Sequence, residues 1–196
     1  MTLRRSALVV LVSVAAVSLL QAQSAGNVTD RLFVSAGRIE MQLGGGSYTI
    51  RPATDTHIRV TLTGNIGRAR VELTSNATRA NLAVMDTPSN DFEATIEVPQ
   101  TSNLFVRLSG GNLVVAPITG NKDIDSVAGN TEISIGNADD YASMEATVKA
   151  GDLNVGAFAG AKTSDSFGLL QRATWSGKGK YMLRVNVGTG NLVLRK

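Results

Sequence analysis

The stretch Val106-Arg107-Leu108-Ser109-Gly110-Gly111-Asn112-Leu113-Val114-Val115 decides the fold. Apolar residues recur at every second position on both sides of the glycines (Val106 and Leu108, Leu113 and Val115), the two-residue period of a strand that packs on one face. Yet the inward residues Leu108 and Leu113 lie five positions apart, an odd number, so a straight strand would send them to opposite faces. The chain must therefore turn at Gly111-Asn112. Glycine supplies positive φ without steric cost, and the asparagine can hydrogen-bond local backbone. The unit is strand, tight corner, strand.

The same frame recurs at Gly129-Asn130, Gly151-Asp152 and Gly190-Asn191. Positions −5, −3, +2 and +4 from each corner glycine are Val106, Leu108, Leu113 and Val115 in the first copy and Ile124, Ser126, Thr131 and Ile133 in the second. They are Ala146, Val148, Leu153 and Val155 in the third, and Val185, Val187, Leu192 and Leu194 in the fourth. Only Ser126 and Thr131 are polar. Gly37, with Leu32, Val34, Ile39 and Met41, fits the frame without the Asn or Asp. The four corners are spaced 18, 22 and 39 residues apart. A period of ~20 is the size of one coil of a β-solenoid. The double interval then predicts a skipped coil over residues 156–180, where glycines disturb the pattern. Antiparallel hairpins would produce the same frame, so periodicity leaves a solenoid and a meander sandwich both open.

Outside these copies, residues 23–99 read as a less regular β lead-in. LFVSAGRIEMQLGGGSYTI (32–50) predicts three short strands broken at Ala36-Gly37 and at Gly44-Gly45-Gly46, and residues 86–91 predict a loop. Pro99 with Gln100–Asn103 marks the seam before the repeating region 100–196, which packs with the first half as one unit. The expected class is all-β: a β-solenoid or stacked β-sheet repeat with an irregular β N-terminal half.

Residues 1–22 read as a signal peptide. Arg4 and Arg5 precede an uncharged run, Ala7 to Leu20, of 14 residues. A membrane span needs ~20, so the run is a signal core, with cleavage after Ala22 or Ser24. The expected location is the periplasm or the cell surface, with no membrane span after cleavage. Loss of the two arginines leaves 17 basic against 16 acidic residues, a net +1 that gives nucleic acid no electrostatic footprint. The chain has no cysteine and one histidine, which excludes disulfides, thiolate zinc sites and cysteine nucleophiles.

The repeating half resembles the bacterial putative adhesin family, exported β-strand-repeat domains. The resemblance rests on VRLSGGNLVVAPITGN (106–121), ATVKAGDLNVGAFAG (146–160) and WSGKGKYMLRVNVGTGNLVL (175–194), and covers roughly residues 92–196. It implies a right-handed β-solenoid or a closely related stacked sheet, a cell-envelope location and no known catalytic residues.

Few residues suggest chemistry. His57 is placed outward beside Arg59 by the alternation around Ile58 and Val60, with no serine-plus-acid arrangement near it. Asp123 and Asp125 share a strand face where carboxylates could hold calcium, but neither an EF-hand nor a glycine-aspartate nonapeptide is present. Asp139-Asp140 reads as corner carboxylates. Gly177-Lys178-Gly179-Lys180 lacks the spacing and Ser/Thr of a phosphate loop. With Arg172, Trp175, Tyr181 and Arg184, however, Lys178 and Lys180 form the densest basic–aromatic cluster, a candidate ligand surface for an acidic glycan or lipid head group. The blander reading makes this a surface loop with Trp175 capping the core. No catalytic, cofactor or metal residue is assigned. The expectation is a non-catalytic, adhesin-like binder of an envelope protein or surface glycan. A periplasmic accessory or sensor module is the alternative, and a polysaccharide-active enzyme a distant third.

Overall fold

Strand-forming alternation dominates the chain, and the structure follows it. The computed structural model describes residues 28–34, 36–166 and 169–196; the predicted signal segment 1–22 lies outside the described residues. The strands are β1 (Val28–Leu32), β2 (Arg38–Ala53), β3 (His57–Gly64), β4 (Arg70–Ser75), β5 (Arg79–Met85), β6 (Phe92–Pro99), β7 (Asn103–Val115) and β8 (Lys122–Ala128). They continue with β9 (Thr131–Ser134), β10 (Tyr141–Ala150), β11 (Leu153–Asn154), β12 (Lys162–Asp165), β13 (Gln171–Ser176), β14 (Tyr181–Thr189) and β15 (Leu192–Arg195). A 3-10 turn, Ala138–Asp140, lies between β9 and β10. Among the described residues the fold is all-β, a single 15-stranded sheet that does not close.

The copies pair side by side and parallel. Val106 pairs with Ile124, Ile124 with Val185 and Val185 with Ala146. Beyond the corner, Leu113 pairs with Thr131, Thr131 with Leu192 and Leu192 with Leu153. Hairpins between copies would pair antiparallel, so that arrangement is absent here. Each copy thus contributes a strand to two walls: β2, β7, β8, β14 and β10 run across the first, and β2, β7, β9, β15 and β11 across the second.

Two expectations about the frame are corrected. The N-terminal copy turns at Gly46-Ser47, not Gly37: Gly46 pairs with Gly111 and Ser47 with Asn112. Its −5, −3, +2 and +4 positions are Met41, Leu43, Tyr48 and Ile50, each no more than 2% exposed. β2 therefore runs continuously through Gly44–Gly46. It changes outer neighbour there, pairing with β5 before the corner and with β6 after it.

The second correction concerns residues 156–180, which form no skipped coil. Tight turns (Phe158 N–H to Val155 O, 2.9 Å; Ala161 N–H to Phe158 O, 3.2 Å) carry the chain away from β11. β13 then returns antiparallel along β10, and β12 pairs antiparallel with β13. The fourth copy inserts instead between the second and third, because β14 pairs with both β8 and β10.

Corner backbones stack almost without clearance. In stacking order the corner glycines are Gly46, Gly111, Gly129, Gly190 and Gly151, with φ between +106° and +138°. A Cβ on Gly129 would overlap the carbonyl oxygen of Gly111, and the same relation repeats along the column. The neighbouring asparagines form a ladder. Asn130 Nδ2 donates to Asn112 Oδ1 (3.4 Å), and Asn130 Oδ1 accepts from the Asn191 backbone (3.3 Å). Asn191 Oδ1 in turn accepts from the Asp152 backbone (3.1 Å). A second ladder starts the first wall: Asn103 Oδ1 accepts from the Asn121 N–H (3.0 Å), and Asn121 Oδ1 from the Met182 N–H (2.8 Å).

The inward rows interlock as the core. Met41, Val106, Ile124, Val185 and Ala146 make one row, all no more than 1% exposed. Ser126 and Thr131 hold inward positions too, at 4% and 1% exposure, so the two polar departures leave the register intact. The exception is Lys122, aligned with Leu104 and Leu183 and only 1% exposed. Its Nζ donates to the carbonyls of Ile118 (2.5 Å) and Gly120 (3.3 Å) and to the Tyr141 hydroxyl (2.7 Å), clamping the loop of residues 116–121. Burial pulls its pKa from 10.5 down to about 8, against an opposing attraction from Asp140.

Two outcomes follow. Gly129→Ala combines left-handed strain of ~1–2 kcal/mol with backbone overlap of ~1–3 kcal/mol, so denaturant titration shows a loss of about 3 kcal/mol or more. Gly160→Ala, at φ +77° with nothing within 4 Å of the new Cβ, loses only about 1 kcal/mol. Equal losses would mean that strain, not stacking, sets the requirement.

Lys122 gives the second. The folded protein holds this proton less tightly than the unfolded chain, so stability rises with pH above about 8. The rise ends near pH ~10, where unfolded tyrosines ionise while burial keeps Tyr141 protonated. Between pH ~7 and ~10 the gain is about 2 kcal/mol. Lys122→Met abolishes that rise in urea titrations and, at pH 7, costs ~1–3 kcal/mol through the acceptors it leaves unpaired.

Candidate functional site

Stacking by corner also writes the outward residues in columns. Counted back from each corner, position −6 holds Glu40, Phe105, Asp123, Arg184 and Glu145 in stacking order. Position −4 holds Gln42, Arg107, Asp125, Asn186 and Thr147. Position −2 holds Gly44, Ser109, Val127, Gly188 and Lys149. These three columns form the outer face of the first wall.

Most charges on this face are matched. Arg107 bridges Asp123 and Asp125, each at 3.1 Å. Asn186 Nδ2 donates to Asp125 at 2.7 Å, and Arg172 meets Glu145 at 2.6 Å. Asp123 and Asp125 do share one strand face, but they are engaged by an arginine. No group of three or more metal-binding side chains occurs among the described residues. Arg38 lies over the Phe105 ring, 3.4 Å from its centroid, so this aromatic is covered.

The −2 column is low because three of its five residues are glycine or serine, and a trough runs along it. Two open grooves result, meeting at Asp125 and Val127. One, of ≈ 400 Å³, is bounded by Gln42, Gly44, Arg107 and Ser109. The other, of ≈ 410 Å³, is bounded by Thr147, Lys149, Arg184, Asn186 and Gly188. Val127 stands between them, 68% exposed. Gly188 forms part of the floor, and a Cβ there would press on the Val127 backbone carbonyl. Lys149 and Arg184 are exposed, and their side chains have no ion pair or hydrogen bond among the described residues.

The basic–aromatic cluster expected from sequence is divided. Arg172 and Arg184 lie on the outer face. Trp175 sits half-buried at the end of an inward row, paired in register with Met144. Its Nε1 donates to Ala159 O at 3.1 Å and its ring lies 5.1 Å from that of Phe158. Gly179 and Lys180 fold back onto the backbone of Tyr141 and Asp140 (3.1 and 3.0 Å), and Lys178 is exposed in the same turn. Lys180 Nζ sits 4.9 Å from the Tyr181 ring, which itself lies 6.4 Å from the Tyr141 ring. Asp139 and Asp140 are exposed in the 3-10 turn, capped by the Asn137 side chain. Lys149, Asn186, Thr147 and Gly188 were not singled out, although aligning the copies on their corners brings them together.

The outer face of the second wall is tied down differently. Arg59 reaches Asp30 (3.3 Å), Asp55 (3.1 Å) and Glu97 (3.0 Å), and Arg51 meets Glu97 at 2.9 Å. The Arg59 hydrogen bond holds the Glu97 carboxyl below its ordinary pKa, against a partial desolvation cost. His57 is half-exposed beside Asp55, with Nδ1 at 3.2 Å. These pairs cross-link β1, β2, β3 and β6 and leave Arg59 occupied.

No helix among the described residues is long and apolar enough to cross a membrane. No family model matches the chain, and no curated protein matches it. Its fold is similar to that of a putative cell adhesion protein from Clostridium sporogenes, with TM-score 0.51 and 12% identity over 86% of this chain and 98% of that one. A putative adhesin from Parabacteroides merdae aligns at TM-score 0.31 and 13% identity over 87% of this chain and 82% of its own. One from Parabacteroides distasonis aligns at 0.28 and 14%, over 87% and 71%. At such identities the first likeness is one of fold, and the likeness to bacterial adhesins drawn from the repeat motifs recurs at that level.

Proposed function

We propose that this chain is an exported, adhesin-like binding module of a bacterial cell envelope, acting without catalysis on a surface glycan or another envelope protein. Its glycine-cornered copies are coils of a β-solenoid, and the outer face of the first wall is the contact surface. The parallel register of the corners supports the solenoid, modified by the fourth coil lying between the second and third.

The observation that carries the functional reading is the form of that face. Side chains from five parallel strands are held in columns on hydrogen-bonded backbone, with two shallow grooves between them. Strands sit ~4.8 Å apart, so the columns present polar groups at a fixed repeat over an extended contact. Fold similarity to a protein described as a cell adhesion protein supports the same reading.

The test has two arms. In intact cells that produce the protein, added protease digests it as fast as in lysed cells. The purified protein is also retained saturably on isolated envelope material. Protection until lysis overturns surface display and favours a periplasmic accessory role. Absence of retention on every envelope fraction overturns the binding module itself.

A further inference from the structure

The second groove on the outer wall carries an unbalanced charge. Among the described residues, four cations (Arg107, Arg172, Arg184 and Lys149) and three carboxylates, Asp123, Asp125 and Glu145, stand around it. All three carboxylates are matched to Arg107 or Arg172. The two cations left over, Arg184 and Lys149, both border the groove. They lie on neighbouring strands and four residues apart in register, because Arg184 pairs with Glu145 while Lys149 stands beside Gly188. Four residues along a strand span ~13 Å. Between them lie Asn186 and Thr147, which are in register with each other. Asn186 gives its amide N–H to Asp125, leaving its carbonyl oxygen to accept, and Thr147 presents a hydroxyl.

We propose that this groove binds an acidic saccharide, with Arg184 and Lys149 engaging carboxylates of a uronic-acid-containing glycan and Asn186 and Thr147 engaging its hydroxyls. The inference rests on the binding-module reading and assigns that module a ligand class. The groove's ≈ 410 Å³ falls in the range of small-ligand clefts, ~300–1,000 Å³. Its floor at Gly188 carries no side chain, which leaves room for a ring lying across the strands. Its donors and acceptors are mixed, as hydroxyl groups require, whereas a peptide carboxylate alone would need only the cations. The first groove opens on the far side of Val127, so a longer chain reaches it by crossing that exposed side chain. Arginine can grip a carboxylate through two parallel N–H donors, and lysine adds a point charge at the other end.

Oligogalacturonate is the probe, titrated into the purified protein by calorimetry at low and moderate salt. Wild type binds it, and the fully methyl-esterified oligomer, which lacks the charge, binds at least tenfold more weakly. The double variant Lys149→Ala/Arg184→Ala loses affinity about tenfold or more, as removal of charge-assisted hydrogen bonds predicts. Asn186→Ala weakens binding of the charged oligomer with both cations still in place. The control is Lys178→Ala/Lys180→Ala, which removes the same charge from the turn before β14, outside the groove lining, and leaves affinity unchanged. Circular dichroism establishes that each variant is folded.

Equal loss in the two double variants overturns the site in favour of general electrostatics. Equal binding of polyglutamate overturns the saccharide assignment. If wild type ignores oligogalacturonate but is still retained on envelope material, the acidic-sugar inference fails and the binding module stands. If it binds neither, both fail.

Discussion

At four of the five corners of this protein the backbone sits on the carbonyl of the neighbouring corner with no room for a Cβ. Parallel strands pack at ~4.8 Å along a wall without special residues, but a turning chain normally separates from its neighbour. Here the turn itself must stack. Only glycine combines positive φ with a bare α-carbon, so every stacked corner is a glycine. Next to each glycine in four of the five copies stands an asparagine or aspartate, which links one corner to the next. Because the corner column fixes the height of every copy, residues at equal distance from their corners align. The core rows, the matched ion pairs and the trough are all consequences of that single registration.

The column fixes register without fixing order. Nothing in the corner contact distinguishes the second copy from the fourth as a neighbour, since both present the same glycine carbonyl. The order follows from what must cover the last strand. β10 would expose its backbone as an open edge; β13 doubles back to pair with it, and β12 pairs with β13 in turn. An exposed edge invites pairing with other chains, and an antiparallel return covers it with sequence already at hand. The third copy therefore lies outermost, beside its own return strands, and the fourth fills the position left between it and the second.

This explains which parts of the architecture were legible in the sequence. Inward and outward positions, and the corners Gly111, Gly129, Gly151 and Gly190, follow from alternation and backbone geometry, which are local. The fifth corner was missed because Gly46 is followed by serine and embedded in three glycines, whereas Gly37 has apolar residues at the right offsets by coincidence. The order of copies is non-local and left no local trace. Lys122 looked like any polar residue at the start of a strand, since the carbonyls of Ile118 and Gly120 that receive it are arranged by a turn. The functional face was half legible. Arg184 was named with a sequence-local cluster, yet its partners across the wall, Asn186, Thr147 and Lys149, emerge only when copies are aligned by corner. Trp175 was drawn into that cluster by proximity in sequence, while its strand register turns it inward against Phe158.

The same registration bears on how such a face can bind. A surface loop must be ordered when a ligand arrives, and each flexible side chain immobilised costs ~0.5–1.5 kcal/mol. On this wall Arg107, Arg172 and their carboxylates are already held by one another, and Asn186 is held by Asp125. For these side chains the ordering has been done during folding; Arg184 and Lys149 have no side-chain partner among the described residues. Isolated charges on an exposed face add little to stability, so stability gives no account of their position. What singles them out is placement: they mark the two ends of a groove whose floor is bare because one residue, two places before its corner, is glycine.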